Sequence, residues 1–313
     1  MLTADGRFTG VLERDIDAYL EGIVFPIDKP YRWTSADVVR KMKYAATRHF
    51  RKKNLKVGHA GTLDPLATGI LLVCIGKATK MAEEFQRHDK EYVAGITFGA
   101  TTPSYDLEKE IDRLYPVDGV SEEALRATLP SFLGVQSQVA PLFSAKSVDG
   151  MRAYEMARKQ YRKSLREGTA FDHESAALLT TQTINISEIE LLAFHPSSAE
   201  APDRADSPGT AAVTPGLTEI FGEKFGPILT AADGGKDRIK VTDNSSLGLP
   251  RAEIRVVCSK GTYIRSLARD IGEALGSGAH LDSLRRTRSG DFRIENAISI
   301  TGATALLSNG EDQ

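Results

Sequence analysis

Val57-Gly58-His59-Ala60-Gly61-Thr62-Leu63-Asp64-Pro65-Leu66-Ala67-Thr68-Gly69 is the densest unusual stretch of the chain. Gly58, Gly61 and Gly69 permit backbone angles closed to other residues. Pro65 pushes Asp64 out of the helical region and fixes its presentation. A stiff turn therefore carries Asp64 just before the apolar run Ile70 to Ile75, which reads as a buried strand, and just after a basic run. The residues alone leave a plain Asp-Pro turn open. They also leave His59 open as an ordinary loop histidine.

Working outward, Gly22 to Asp28 reads as a strand entering a turn at Lys29-Pro30. Ser35 looks like an N-cap, with Asp37 in the first turn and Val38, Val39 and Met42 on one face, which predicts a helix to about His49. A basic, turn-rich loop is expected from there to Thr68. On the other side, Thr79 to Arg87 reads as a helix and Lys90 to Ala100 alternates like a half-exposed strand. A short helix from Ser121 to about Leu129 and a basic helix from Tyr154 to Arg166 follow. Ile184 to Phe194 and Glu253 to Cys258 read as strands, Thr262 to Leu275 as a helix closed by Gly276. Leu281 to Arg285 and Asp291 to Ile294 end the regular part. Strands and helices mix without strict βαβ alternation, which argues for an α+β, mixed-sheet fold. Pro196 to Gly216 has four prolines and no aromatic residue, so a flexible loop is expected there.

The 313 residues are 41% hydrophobic and 26% charged, the balance of an ordinary globular chain. No apolar run approaches the ~18 residues that a membrane helix needs, and the start does not read as a signal peptide. Cys74 and Cys258 lie in apolar runs. Buried thiols in a reducing cytosol fit them, and the count excludes a disulfide scaffold or a cysteine zinc site. The net charge is only −2, but it is unevenly spread. Arg40 to Lys56 holds eight basic residues and no acid. Arg285, Arg286, Arg288 and Arg293 have only Asp291 against them. Such patches suit phosphate backbones, although a solvated helix face stays open. Paired carboxylates, a Walker loop, a dinucleotide fingerprint and metal-ligand histidine spacing are all missing. Cys258-Ser-Lys-Gly-Thr-Tyr-Ile-Arg265 runs from a strand into a helix, and its basic start suits an anion or a carboxylate.

Gly58-His-Ala-Gly-Thr-Leu-Asp-Pro-Leu-Ala-Thr-Gly-Ile-Leu71, followed by Gly76-Lys-Ala-Thr-Lys80, closely resembles the signature of the TruB family, the tRNA pseudouridine(55) synthases. Four further blocks match in order: Asp28-Lys-Pro with Thr34-Ser35; Lys90-Glu-Tyr92 with Phe98-Gly99; Pro141 to Ala145 with Tyr154 to Arg158; and Cys258 to Arg265 with Gly276 to Arg286. The resemblance implies a pseudouridine synthase catalytic fold: a long central mixed sheet flanked by helices, with an inserted thumb. It implies a catalytic domain over 22–298, with the thumb over about 130–175 and an insertion over about 196–249. Residues 1–21 would be an N-terminal extension. Residues 299–313 would be a short tail without the C-terminal RNA-binding (PUA) module that many members carry.

The implied activity is that of an isomerase turning uridine 55 of the tRNA T-loop into pseudouridine. Asp64 matches the catalytic aspartate, Tyr92 the tyrosine stacking on the target base, and Arg265 the arginine that pairs with the aspartate. Tyr263 and Leu284 match residues lining the uridine pocket. His59 matches the histidine that fills the space left by flipped bases, and Lys29 a lysine near the active site. The run Arg40, Lys41, Lys43, Arg51, Lys52, Lys53 and Lys56 would track tRNA phosphates. No redox step occurs, so no cofactor or metal is implied. The implied partner is the tRNA T-arm, met by a cytoplasmic monomer that needs no protein partner and no membrane. After Ser144-Ala145 the sequence departs from the family pattern, with Lys146 preceding Ser147. The alternatives are a guide-RNA-dependent pseudouridylase and a non-catalytic tRNA-folding factor.

Overall fold

The computed structural model describes residues 1–143, 147–148, 151–169, 171, 181–197 and 239–308. In chain order its main strands are β1 (Leu2–Thr3), β2 (Ile23–Lys29), β3 (Val57–Ala60), β4 (Ala67–Ile75), β5 (Lys90–Phe98), β6 (Gly134–Val139), β7 (Thr181–His195), β8 (Arg251–Cys258), β9 (Ala279–Ser289), β10 (Phe292–Arg293) and β11 (Ile298–Ser299). The α-helices are α1 (Ser35–His49), α2 (Ala82–Arg87), α3 (Glu122–Thr128), α4 (Ala153–Glu167), α5 (Ile264–Ala274) and α6 (Ile300–Leu306). No helix among the described residues is long and apolar enough to cross a membrane. The chain divides into two compact units, with boundaries after Tyr92 and after Leu284 that fall inside β5 and β9.

In the first unit the strand order is β1-β2-β4-β9-β5, with β3 also on β4, β11 on β2 and β10 on β9. The sheet is mixed: β1 and β11 run parallel to β2, whereas β2 and β3 run antiparallel to β4. All nine residues of β4 are buried, which explains why its sequence is a continuous apolar run rather than an alternating one. Val24, Ile70, Leu72, Cys74, Phe85 and Ile294 form its core. In the second unit the order is β9-β5-β8-β7-β6, with β7 antiparallel to both β8 and β6. A separate cluster of Leu142, Phe143, Ala153, Ala157 and Phe171 packs α4.

Several sequence expectations need correction. The N-cap of α1 is Thr34, not Ser35: the Thr34 side chain accepts from the Asp37 N–H and Asp37 accepts in return, a reciprocal capping box. The expected loop after α1 contains β3, whose half-exposed Val57, Gly58 and His59 hide the alternation that marks a strand. The segment read as one helix from Thr79 begins as a 3₁₀ turn, Gly76–Met81, before α2. The two short C-terminal strand segments belong to a longer β9 and to β10. The C-terminal stop of α5 is as expected, with Gly276 at φ 68° and the Ser277 N–H bonded to the Gly272 carbonyl. Residues 198–238 of the expected insertion, 309–313 of the expected tail, and Lys146 lie outside the described residues.

Candidate active site

β2 holds one edge of β4 from Gly69 to Ile75, so β3 takes the other edge, from Leu72 to Ile75. After Ala60 the chain leaves that edge and returns to β4 only at Ala67. Asp64 sits in this excursion, half-exposed, and both of its neighbours are pinned. The Ser35 hydroxyl accepts from the Leu63 N–H at 2.9 Å and donates to the Leu63 carbonyl at 3.1 Å. The Lys29 ammonium donates to the Pro65 carbonyl at 3.2 Å. The Asp64 carbonyl accepts from the Ala67 N–H at 3.1 Å. The carboxylate is thus carried by a half-exposed residue on a backbone with little freedom.

Lys29 is fully buried. Its Nζ also donates to the carbonyls of Trp33 at 2.6 Å and Pro30 at 3.0 Å. Burial pulls its ammonium down to about 7, against the opposing attraction of the Asp64 and Asp28 carboxylates. His59 lies on β3 opposite Val73. Burial, then the nearby Arg286 charge, lowers its pKa, so the ring is neutral near pH 7. Its Nδ1 is buried with no hydrogen-bond partner among the described residues. Tyr92 stands on β5 with the Arg286 guanidinium 5.6 Å from its ring centre. The first unit therefore brings together Lys29, His59, Asp64 and Tyr92.

The second unit carries Arg265, Tyr263 and Leu284. Tyr263 is the N-cap of α5, and its N–H and carbonyl are both bonded to the Gln138 side chain, at 2.8 and 3.2 Å. Arg265 is buried. It donates to the carbonyls of Ser104 at 3.1 Å and Phe143 at 2.9 Å, and lies 3.8 Å from the Asp106 carboxylate. The Asp106 contact gave no signal in the sequence, because a lone Asp in a turn looks like any other.

The two basic clusters separate sharply. Arg40, Lys41, Lys43, Arg51, Lys52, Lys53 and Lys56 are all exposed. Lys43, Lys53 and Lys56 line an open hollow of about 510 Å³ with Asn54, Gly58 and Thr79. Among the described residues, two of the seven carry ion pairs: Arg40 with Asp37 at 2.8 Å and Lys52 with Asp17 at 3.0 Å. The second cluster divides: Arg285 and Arg286 are buried and so turned away from any phosphate, whereas Arg288 is half-exposed and Arg293 exposed. Arg285 makes a two-pronged ion pair with Asp28, at 2.9 and 3.2 Å. Arg286 donates to the Thr62 carbonyl at 2.8 Å and the Gly61 carbonyl at 3.3 Å. Sequence reasoning missed this role of Arg286, which it read only as one charge of a basic cluster.

Sequence profiles place the chain among known proteins. The profile of the TruB family pseudouridylate synthase N-terminal domain matches residues 47–202, and that of the tRNA pseudouridylate synthase B C-terminal domain matches residues 265–308. The chain is 43% identical over 293 residues to tRNA pseudouridine synthase B of Phocaeicola vulgatus, covering 94% of this chain and 96% of that protein. It is 44% identical to the protein of the same name from Bacteroides fragilis, over 90% of this chain and 91% of that one. The Thermus thermophilus protein is 37% identical, over 89% of this chain and 76% of its own length. Among solved structures, the archaeal box H/ACA sRNP Nop10-Cbf5 complex aligns with a TM-score of 0.52 at 22% identity, covering 96% of this chain and 58% of that one. That likeness shows the fold alone. With both halves of its sequence matched and near-full-length relatives above 40% identity, the chain belongs to the TruB family of pseudouridylate synthases.

Proposed function

We propose that this chain converts uridine 55 in the T-loop of tRNA to pseudouridine, with Asp64 as the catalytic carboxylate. The observation that carries the reading is the pinning of both neighbours of Asp64, Leu63 by Ser35 and Pro65 by Lys29. A held carboxylate on a half-exposed turn is what attack or proton abstraction at a flipped nucleotide requires. The tRNA substrate is supported by the relatives' shared name.

In the reaction the N1–C1′ bond breaks, the uracil turns, and C5 joins C1′. The C5 hydrogen leaves as a proton and N1 gains one. Asp64 acts at the sugar as nucleophile or base. Tyr92 stacks on the extruded uracil, a contact typically worth about 1–3 kcal/mol. Arg265 is the guanidinium of the catalytic set, and Tyr263 and Leu284 line the uridine. Neutral His59, whose buried Nδ1 has no partner among the described residues, suits insertion among unstacked bases. The exposed run from Arg40 to Lys56 meets tRNA phosphates. Residues 22–298 act as the catalytic domain. The span around 130–175 serves as a thumb on the tRNA arm, supported by the basic helix α4 within it.

The enzyme works as a monomer in the cytoplasm without a protein partner. Two buried thiols fit a reducing compartment, and burial pushes that of Cys74 up to about 12. The test is tritium release from a tRNA transcript carrying 5-tritiated uridine, with no other protein present. Release from one T-loop uridine, abolished in Asp64→Asn, is expected. Tight tRNA binding without release from the wild-type chain overturns the reading in favour of a guide-dependent enzyme or a folding factor.

A further inference from the structure

Arg286 is 1% exposed, yet its guanidinium bonds backbone carbonyls and no carboxylate among the described residues. Gly61 is half-exposed and Thr62 exposed, so the loop whose carbonyls Arg286 holds lies at the surface. The arginine spans two features of the site. On one side its Nη atoms bond the carbonyls of Gly61 and Thr62, where the chain has just left the β4 ladder and lost its strand partner. On the other side its guanidinium faces the Tyr92 ring at 5.6 Å. The fork geometry that reaches two successive carbonyls belongs to arginine and not to lysine.

The backbone is arranged to permit this. Gly69 has φ +97°, and a Cβ there would lie 2.2 Å from the Arg286 carbonyl oxygen. Only glycine lets β9 approach β4 closely enough at that point. Gly61, at φ +92°, would bring a Cβ to 3.3 Å from Nη1. Two glycines of the stretch that carries Asp64 thus make room for the same arginine. The charge is felt beyond its bonds: after burial, it is the further influence that lowers the pKa of His59.

We infer that Arg286 is a positioning residue: it ties the backbone two residues before Asp64 to the face of Tyr92, so that carboxylate and stacking ring are held as one unit. This rests on the function proposed above. Arg286 touches no reacting atom in that scheme. It acts on turnover through the loop and the ring, so its loss lowers the rate of the chemical step while tRNA binding persists.

The experiment measures single-turnover pseudouridine formation and tRNA affinity for the wild type, Asp64→Asn, Arg286→Lys and Arg286→Gln. Arg286→Lys keeps the charge and loses the fork. Each variant is first checked for cooperative thermal unfolding. Loss of at least about 100-fold in rate for Arg286→Lys, with the dissociation constant within about threefold, is expected, because small misplacement of reacting groups costs about that much. A Tyr92→Leu background provides the second readout. There, Arg286→Lys costs markedly less than in the wild type, because half of what it aligns is already gone. Folded Arg286 variants with near wild-type rates overturn the inference, and so does a loss confined to tRNA binding. Failure of both variants to fold overturns it as well, by assigning Arg286 to the core alone. An inactive wild-type chain instead overturns the functional reading, so the two failures are told apart by the wild-type reaction.

Discussion

The Nζ of Lys29 lies 3.2 Å from the carbonyl oxygen of Pro65, so the last residue of β2 holds the residue that follows Asp64. The same ammonium caps the carbonyls of Trp33 and Pro30. One buried cation therefore joins the end of β2, the entry to α1 and the Asp64 turn. Lys29→Met keeps most of the volume and removes all three bonds. Single-turnover conversion of tRNA is expected to fall at least about tenfold, since loosening a catalytic group by a fraction of an ångström is enough for that. Affinity for tRNA should change little. A variant that binds and reacts like the wild type refutes the role.

Lys29 also makes stability depend on pH. Its ammonium, held at about 7 in the fold, titrates near 10.5 in the unfolded chain. Between those values the unfolded state binds more protons than the native state, so this group makes stability rise with pH. Its stabilising contribution is full above the unfolded value and lost as pH falls through about 7. The slope from one such proton is at most about 1.4 kcal/mol per pH unit. Urea midpoints measured from pH 7 to 10 should show this rise in the wild type relative to Lys29→Met. Parallel curves for the two chains rule it out.

How far the sequence displayed this site depends on what each residue does. Asp64 and its turn were visible because Pro65 and the flanking glycines constrain the backbone whatever surrounds them. β4 was visible because burial on both faces writes itself as an unbroken apolar run. β3 was not, because a short strand half-open to solvent need not alternate. Ser35 was read as a cap from its place before a helix. Thr34 makes that bond instead, and Ser35 reaches 28 residues along the chain to Leu63, a partner no local pattern reveals. The arginines of β9 misled for the same reason. Charge was legible, but whether Arg285 faces water or Asp28 is set by a strand 257 residues away.

That buried pair gives a third prediction. Arg285 is 3% exposed and grips Asp28 through two nitrogens, with a further bond to the Thr68 hydroxyl at 3.3 Å. Arg285→Met strands the Asp28 carboxylate, and breaking a buried pair in this way costs about 3–5 kcal/mol. Denaturant unfolding should show that loss. The folded fraction should bind tRNA with an unchanged salt dependence. A weakened salt dependence with stability intact would place Arg285 at the RNA after all.

The exposed run on α1 and the loop after it behaves in the opposite way. Each lysine on a phosphate releases a counterion, so its removal should reduce the slope of log affinity against log salt by about one. The residues are not equivalent. Lys53 and Lys56 face the open hollow with Lys43, whereas Lys52 is within 3.0 Å of the Asp17 carboxylate. Exposed pairs of this kind contribute little to stability, but they lower the local charge offered to a phosphate. Lys53→Ala and Lys56→Ala should each flatten the slope by about one, and Lys52→Ala by clearly less. Asp17→Ala then tests the pairing directly: by releasing Lys52 it should steepen the slope, and in that background Lys52→Ala should cost as much as Lys53→Ala. Equal slopes for all three lysine variants would show that Asp17 does not shield Lys52. Slopes unchanged from the wild type would remove this face from the RNA contact.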